Sequence, residues 1–166
     1  MNKKQKGFSL IELLIVVAII LIIAAIAIPN LLRARIAANE SSAVGSVRTI
    51  VTANVTYSST WGTGFATSLV PLGGAAPCAG ATAAAACLID PVLAAGNKSG
   101  YTIVDTGGAA VGGVVPTFVV YAAPQSIGQT GQRMFCSDES GVVRFDISGA
   151  GTPATDAACE AFPPLQ

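Results

Sequence analysis

An α+β fold, with a long N-terminal helix packed against a small antiparallel β-sheet head, is what this sequence predicts, and three observations predict it. Sixteen consecutive apolar residues run from Leu13 to Ile28. Beyond Pro29 the apolar positions recur at multiples of three and four, the period of an amphipathic helix. After Ser58 the chain turns to glycine, alanine, serine and threonine, interrupted by four short strand-like runs. Of the 166 residues 52% are hydrophobic and 11% charged, which excludes a disordered or nucleic-acid-coating chain.

The first element is a membrane-length helix. Phe8 to Ile28 is apolar apart from Ser9 and Glu12. At about 1.5 Å per residue it reaches roughly 30 Å, one bilayer core. Lys3, Lys4 and Lys6 precede it, so the positive-inside rule keeps Met1 in the cytoplasm and places the rest outside. The residues after Gly7 carry six basic and nine acidic side chains, a net of −3, and no basic patch for DNA. A secretory signal has a shorter apolar core that ends in a cleavage site. Here the only sharp junction, Lys6-Gly7-Phe8, precedes the core, and a cut there retains the anchor.

Glu12 is the most informative residue. A carboxylate in a bilayer-spanning helix costs on the order of 2.5–3.5 kcal/mol and calls for a partner. It lies four residues after Phe8, on the same helical face. A cut before Phe8 creates an α-ammonium near this carboxylate. Between staggered helices, the amine of an incoming subunit could neutralise the Glu12 of its neighbour, making assembly dependent on register.

The stretch Gly7-Phe8-Ser9-Leu10-Ile11-Glu12, followed by a long apolar helix and Ile28-Pro29-Asn30, closely resembles the prepilin-type N-terminal cleavage and methylation motif. That motif begins type IV pilins and type II secretion pseudopilins. The resemblance is specific from Lys6 to about Ala38 and architectural beyond it. It implies cleavage after Gly7 by a membrane-embedded prepilin peptidase and N-methylation of Phe8. It further implies neutralisation of a neighbouring Phe8 amine by Glu12, and a kink or locally melted turn at Pro29. The implied organisation is a leader over 1–7, a transmembrane and assembly half of the helix over 8–29, and an exported pilin domain over 30–166.

The function so implied is a structural subunit of a type IV pilus, serving adhesion, twitching motility or DNA uptake. The alternative is a pseudopilin of a type II secretion system. The expected partners are further copies of the chain, the prepilin peptidase and the inner-membrane assembly platform. No nucleic-acid contact is expected apart from DNA uptake. The expected location is the bacterial inner membrane as a single-pass precursor, then a surface pilus or periplasmic pseudopilus. No enzymatic activity, cofactor or metal is expected.

The second half of the helix reads from the stripe Leu32, Ile36, Val44, Val47, Val51 and Val55, interleaved with Arg33, Arg35, Glu40 and Arg48. One helix from about Ser9 to Thr56, bent near Pro29, is expected. Ser58–Gly74 reads as a loop with Trp61 and Phe65 as anchors, and Ala75–Ala86 as a small-residue loop. The strands are expected at Tyr101–Val104, Thr117–Ala122, Gln132–Cys136 and Val142–Ile147, with Val143, Phe145 and Ile147 on one side of the last. Cys136–Gly141 is the intervening hairpin loop, with Asp138 and Glu139 at a solvated tip. Gly107–Gly113 is a flexible connection without the GK[ST] of a phosphate loop. Ser148–Gln166 should be irregular.

The chain has no histidine, which excludes histidine-based nucleophile systems and metal sites. Cys78, Cys87, Cys136 and Cys159 form no CxxC and fit disulfides in an exported chain. They allow three connectivities, of which Cys78–Cys87 with Cys136–Cys159 closes the shortest loops.

Overall fold

The computed structural model describes residues 8–74, 78 and 80–165. The basic stub with Lys3, Lys4 and Lys6, and Gly7 of the cleavage junction, lie outside the described residues, as do 75–77, 79 and 166. The chain divides into two compact units, one up to Arg35 and one from Ile36 onward.

The dominant element is α1 (Leu10–Trp61), 52 residues long with Pro29 inside it. It continues past Thr56 to take in Trp61, which packs on the main core as expected but from the end of the helix and not from a loop, its ring 4.9 Å from that of Tyr57. The remaining elements are α2 (Leu69–Leu72), α3 (Pro91–Ala94), β1 (Asn97–Lys98), β2 (Tyr101–Gly107), β3 (Phe118–Pro124), β4 (Met134–Asp138), β5 (Arg144–Asp146) and α4 (Asp156–Glu160). The five strands pair in sequence order, all antiparallel, as a meander.

Alternation along the strands sorts the head into two cores. Tyr101 and Ile103 on β2, Phe118, Val120 and Ala122 on β3, and Phe135 on β4 join Ala43, Val47, Ile50, Ala53 and Tyr57 of α1 in the main cluster. Fully burying each large apolar side chain contributes about 1.5–3 kcal/mol. Val119, Met134, Cys136 and Cys159 form a second cluster with Tyr121 and Phe162 packed on it. The C-terminal stretch contributes to that cluster through α4, whose N-cap Thr155 accepts a hydrogen bond from Ala158 N–H. The segment expected to be irregular is therefore a cover for the sheet.

Several expected faces are corrected. The buried stripe of α1 is Glu40, Ala43, Ser46, Val47, Ile50, Ala53, Asn54 and Tyr57, while Val55 and Leu32 are exposed. Ile147 lies beyond the end of β5 and is exposed, unlike Val143. Asp138 ends β4 instead of tipping the hairpin and is 1% exposed, with Oδ1 accepting from Ser140 N–H. The connection after β2 is a tight turn: Val111 and Val114 exchange backbone hydrogen bonds around Gly112 and Gly113. Both glycines have positive φ, 61° and 85°, as a two-residue hairpin turn requires.

Two polar clasps tie α1 to the sheet side of the head. Glu40 accepts from the backbone N–H groups of Gln132 (3.0 Å) and Arg133 (3.1 Å), and from Arg133 Nε (3.0 Å) and Nη2 (2.7 Å). Burial pushes the Glu40 carboxyl up, but the Arg133 bond and the two backbone donors outweigh it and hold it below its ordinary value. Asn54 donates Nδ2 to both oxygens of Asp105, at 3.1 and 3.2 Å, while its Oδ1 accepts from Ala66 N–H at 3.0 Å. Asp105 has no cation beside it among the described salt bridges. Burial pushes its carboxyl up to about 7, against the pull of the Asn54 bond.

Two outcomes follow for stability. Glu40→Ala leaves a half-exposed guanidinium and two N–H groups without their acceptor, and should lower the unfolding free energy of the head by about 2–3 kcal/mol in urea titrations. Asp105 binds its proton more tightly folded than unfolded, so its contribution is complete below its ordinary value of 3.8 and is lost as pH rises through about 7. Asp105→Asn should remove that slope, giving the head a higher melting temperature than the parent at about pH 8 and a smaller difference at about pH 5.

Candidate assembly segment

The first unit is built from an apolar helix whose large side chains are exposed. Across the most hydrophobic 18-residue window of α1 mean hydropathy is 3.3, and none of it is buried. Leu10, Leu13, Leu14, Val17, Ala18 and Leu21 line one shallow apolar groove along it. By length and composition the helix is able to cross a membrane. An exposed stripe this long is unstable in water and needs lipid or other helices against it.

At its start the geometry brings together Ser9 and Glu12. Ser9 stands directly before the first helical residue, and its backbone N–H donates to Glu12 Oε2 at 2.9 Å. Leu13 N–H donates back to the Ser9 carbonyl at 3.2 Å, closing the first turn. This is the glutamate half of a capping box, in which the residue three positions into a helix satisfies the N–H of the cap. The spacing Ser9-x-x-Glu12 carries this signal in the sequence itself. The bond leaves the second carboxylate oxygen, Oε1, free of any described hydrogen bond. Phe8 is exposed immediately before the cap.

Pro29 lies within α1 and is exposed. Proline has no N–H, so the carbonyl of Ala25 loses its usual partner four residues on. The described cysteines are paired as Cys78–Cys87 and Cys136–Cys159, with Cα separations of 6.3 and 6.0 Å. The first sits at the surface; the second is sealed in the smaller core and pins α4 to β4.

Beside Arg133, Phe145, Pro163, Pro164 and Leu165 lies an open groove of about 360 Å³, whose one titratable group is already bound to Glu40. Among the described residues no three His, Cys, Asp or Glu side chains gather as a metal would need. The Glu40 and Asp105 clasps carried no sequence signal, because their partners lie 93 and 51 residues away.

A long apolar N-terminal helix with a small antiparallel sheet is an α+β, type IV pilin-like architecture. The comparisons agree at the N-terminus: the prokaryotic N-terminal methylation motif matches residues 2–28. The chain is similar to the type IV major pilin protein PilA of Myxococcus xanthus, 45% identical over 56 residues, 34% of this chain and 26% of that protein. It is similar also to the type IV wide pilus major component PilA4 of Thermus thermophilus, 64% identical over 39 residues, 24% of this chain and 30% of that protein. The match thus spans less than a third of the length of either curated relative. No solved structure matches the chain significantly.

If the Ser9–Glu12 bond caps α1, its loss is measurable in the single chain. Glu12→Ala should cost about 0.5–1 kcal/mol of local stability and speed amide exchange at Ser9 and Leu10 in micelles. Glu12→Gln, which keeps an acceptor oxygen, should lose less.

Proposed function

We propose that this chain is a structural subunit of a type IV pilus, cut after Gly7, N-methylated at Phe8 and polymerised through the apolar part of α1. The observation that carries this reading is the position of Glu12. It is a lone carboxylate four residues after Phe8, at the head of an uncovered apolar helix, inside the matched methylation motif. Residues 1–7 act as the leader, 8–29 as the membrane and assembly half, and 30–166 as the exported part.

In the single chain Glu12 accepts one backbone N–H and has no cation among the described salt bridges. In a helical bundle it accepts the methylated ammonium of a neighbouring Phe8 through the remaining oxygen, at the cost of little rearrangement. A subunit that arrives out of register leaves both charges unpaired in an apolar surrounding, which makes the pairing a register check. The relatives' printed names, a major pilin and a wide pilus major component, support self-assembly as the role. The exposed apolar groove on α1 supports the same role. The prepilin peptidase and an inner-membrane platform are the partners this route requires. The chain begins as an inner-membrane precursor and ends in a surface fibre. No catalytic role is assigned.

N-terminal mass spectrometry of assembled protein should find N-methyl-phenylalanine at Phe8; an intact Met1 would contradict the reading. Glu12→Val should insert into membranes normally yet reduce sheared surface filaments at least about tenfold. Retained exoproteins with no surface filaments at native expression would point to secretion instead.

A further inference from the structure

Arg33 and Arg35 follow the apolar part of α1 directly, and both are exposed. Neither makes an ion pair or a side-chain hydrogen bond among the described residues. The nearest carboxylate along the chain, Glu40, is held by Arg133, and Arg144 Nη1 is bound to the Phe162 carbonyl. The residues outside the described ones include no aspartate or glutamate that could serve instead.

Two features make this pair unusual. Positive charge on the outer side of a membrane helix works against the orientation that Lys3, Lys4 and Lys6 impose, since the rule counts lysines and arginines near each end. Membrane helices are also held at the interface by tryptophan and tyrosine, yet no aromatic residue stands between Phe8 and Tyr57. From Leu10 to Leu32 the helix rises roughly 35 Å, slightly more than the hydrocarbon core of a bilayer. Arg33 and Arg35 then emerge at the level of the outer headgroups.

We propose that Arg33 and Arg35 form a phosphate clamp, in which their guanidinium groups bind phospholipid headgroup phosphates of the outer leaflet and fix the depth of the membrane-inserted precursor. The proposal rests on the membrane-anchored reading above. The fork of N–H donors on each guanidinium matches a phosphate in the two-bond geometry that lysine cannot offer. The long side chains reach the headgroups while their methylene stems stay against acyl chains. Two such contacts also replace the missing aromatic anchors. Leaving the membrane for a fibre then requires release of the phosphates from both side chains, so the pair holds the precursor until it is extracted.

The test is carbon–phosphorus dipolar recoupling by solid-state NMR, on full-length chain labelled at the arginine guanidinium carbon and reconstituted in phosphatidylglycerol vesicles. Guanidinium–phosphate bonds of about 2.8 Å place that carbon about 4 Å from phosphorus. The chain has five arginines, so about two-fifths of the arginine signal should dephase. The dephasing should vanish in R33Q/R35Q and persist in R48Q, where two of the four remaining arginines, about half the signal, should dephase. Phosphatidylcholine vesicles should preserve it, because the clamp reads phosphate and not net lipid charge; dephasing confined to phosphatidylglycerol overturns that point and leaves only surface attraction. No dephasing in a chain that resists carbonate extraction overturns the clamp while the anchor stands. Release by carbonate overturns both. Dephasing that survives R33Q/R35Q overturns the assignment to these residues.

Discussion

A carboxylate in an apolar environment must find hydrogen-bond donors and a counter-charge, and Glu12 sets this constraint on everything N-terminal to the head. In the single chain it is answered only in part, by one backbone N–H of Ser9. That bond organises the first helical turn and holds the side chain back toward the N-terminus. It supplies no positive charge. The helix that follows is apolar and exposed for more than four turns, so among the described residues neither the charge nor the surface is satisfied. Both point to a second body with hydrocarbon surface and a positive group, which a neighbouring processed copy would supply in one contact.

The head is held by the opposite strategy. Glu40 sits in the buried stripe of α1 because four donors surround its carboxylate, two of them backbone groups that fix where the chain enters β4. Asn54 is tolerated in the same stripe because it serves Asp105 and the Ala66 N–H together. Each polar residue costs desolvation and returns positional specificity, since sliding the helix by a turn would orphan all of these groups. The Cys136–Cys159 bond does the same for α4, which covers the far side of the sheet.

What the sequence made legible follows from where the information is local. A sixteen-residue apolar run cannot be mistaken, and neither can alternating Val, Phe and Tyr between glycine-rich turns; those elements lie where pattern places them. Periodicity favours valine for the buried stripe of α1, whereas the chain buries the small Ala43 and Ala53 in the main core, and Glu40 and Asn54, whose partners are remote. Asp138 looks solvated in the sequence because it stands beside a turn, yet it ends β4 buried, with Oδ1 accepting from the Ser140 N–H. Elements α2, α3 and α4 are four or five residues long, too short for a period to show. The Ser9–Glu12 cap was visible as Ser-x-x-Glu but was overshadowed by the charge of Glu12.

Together these features divide the chain by the kind of satisfaction each part needs. The head satisfies its polar groups internally and folds around them. The N-terminal part leaves its requirements open, and on the proposed reading assembly meets them. The most direct measurement is a cryo-electron-microscopy map of native filaments at side-chain resolution. The account predicts the methylated Phe8 nitrogen of one subunit within about 3 Å of a Glu12 carboxylate oxygen of its neighbour. A map in which Glu12 bonds only its own Ser9, with every Phe8 amine paired elsewhere, would contradict it.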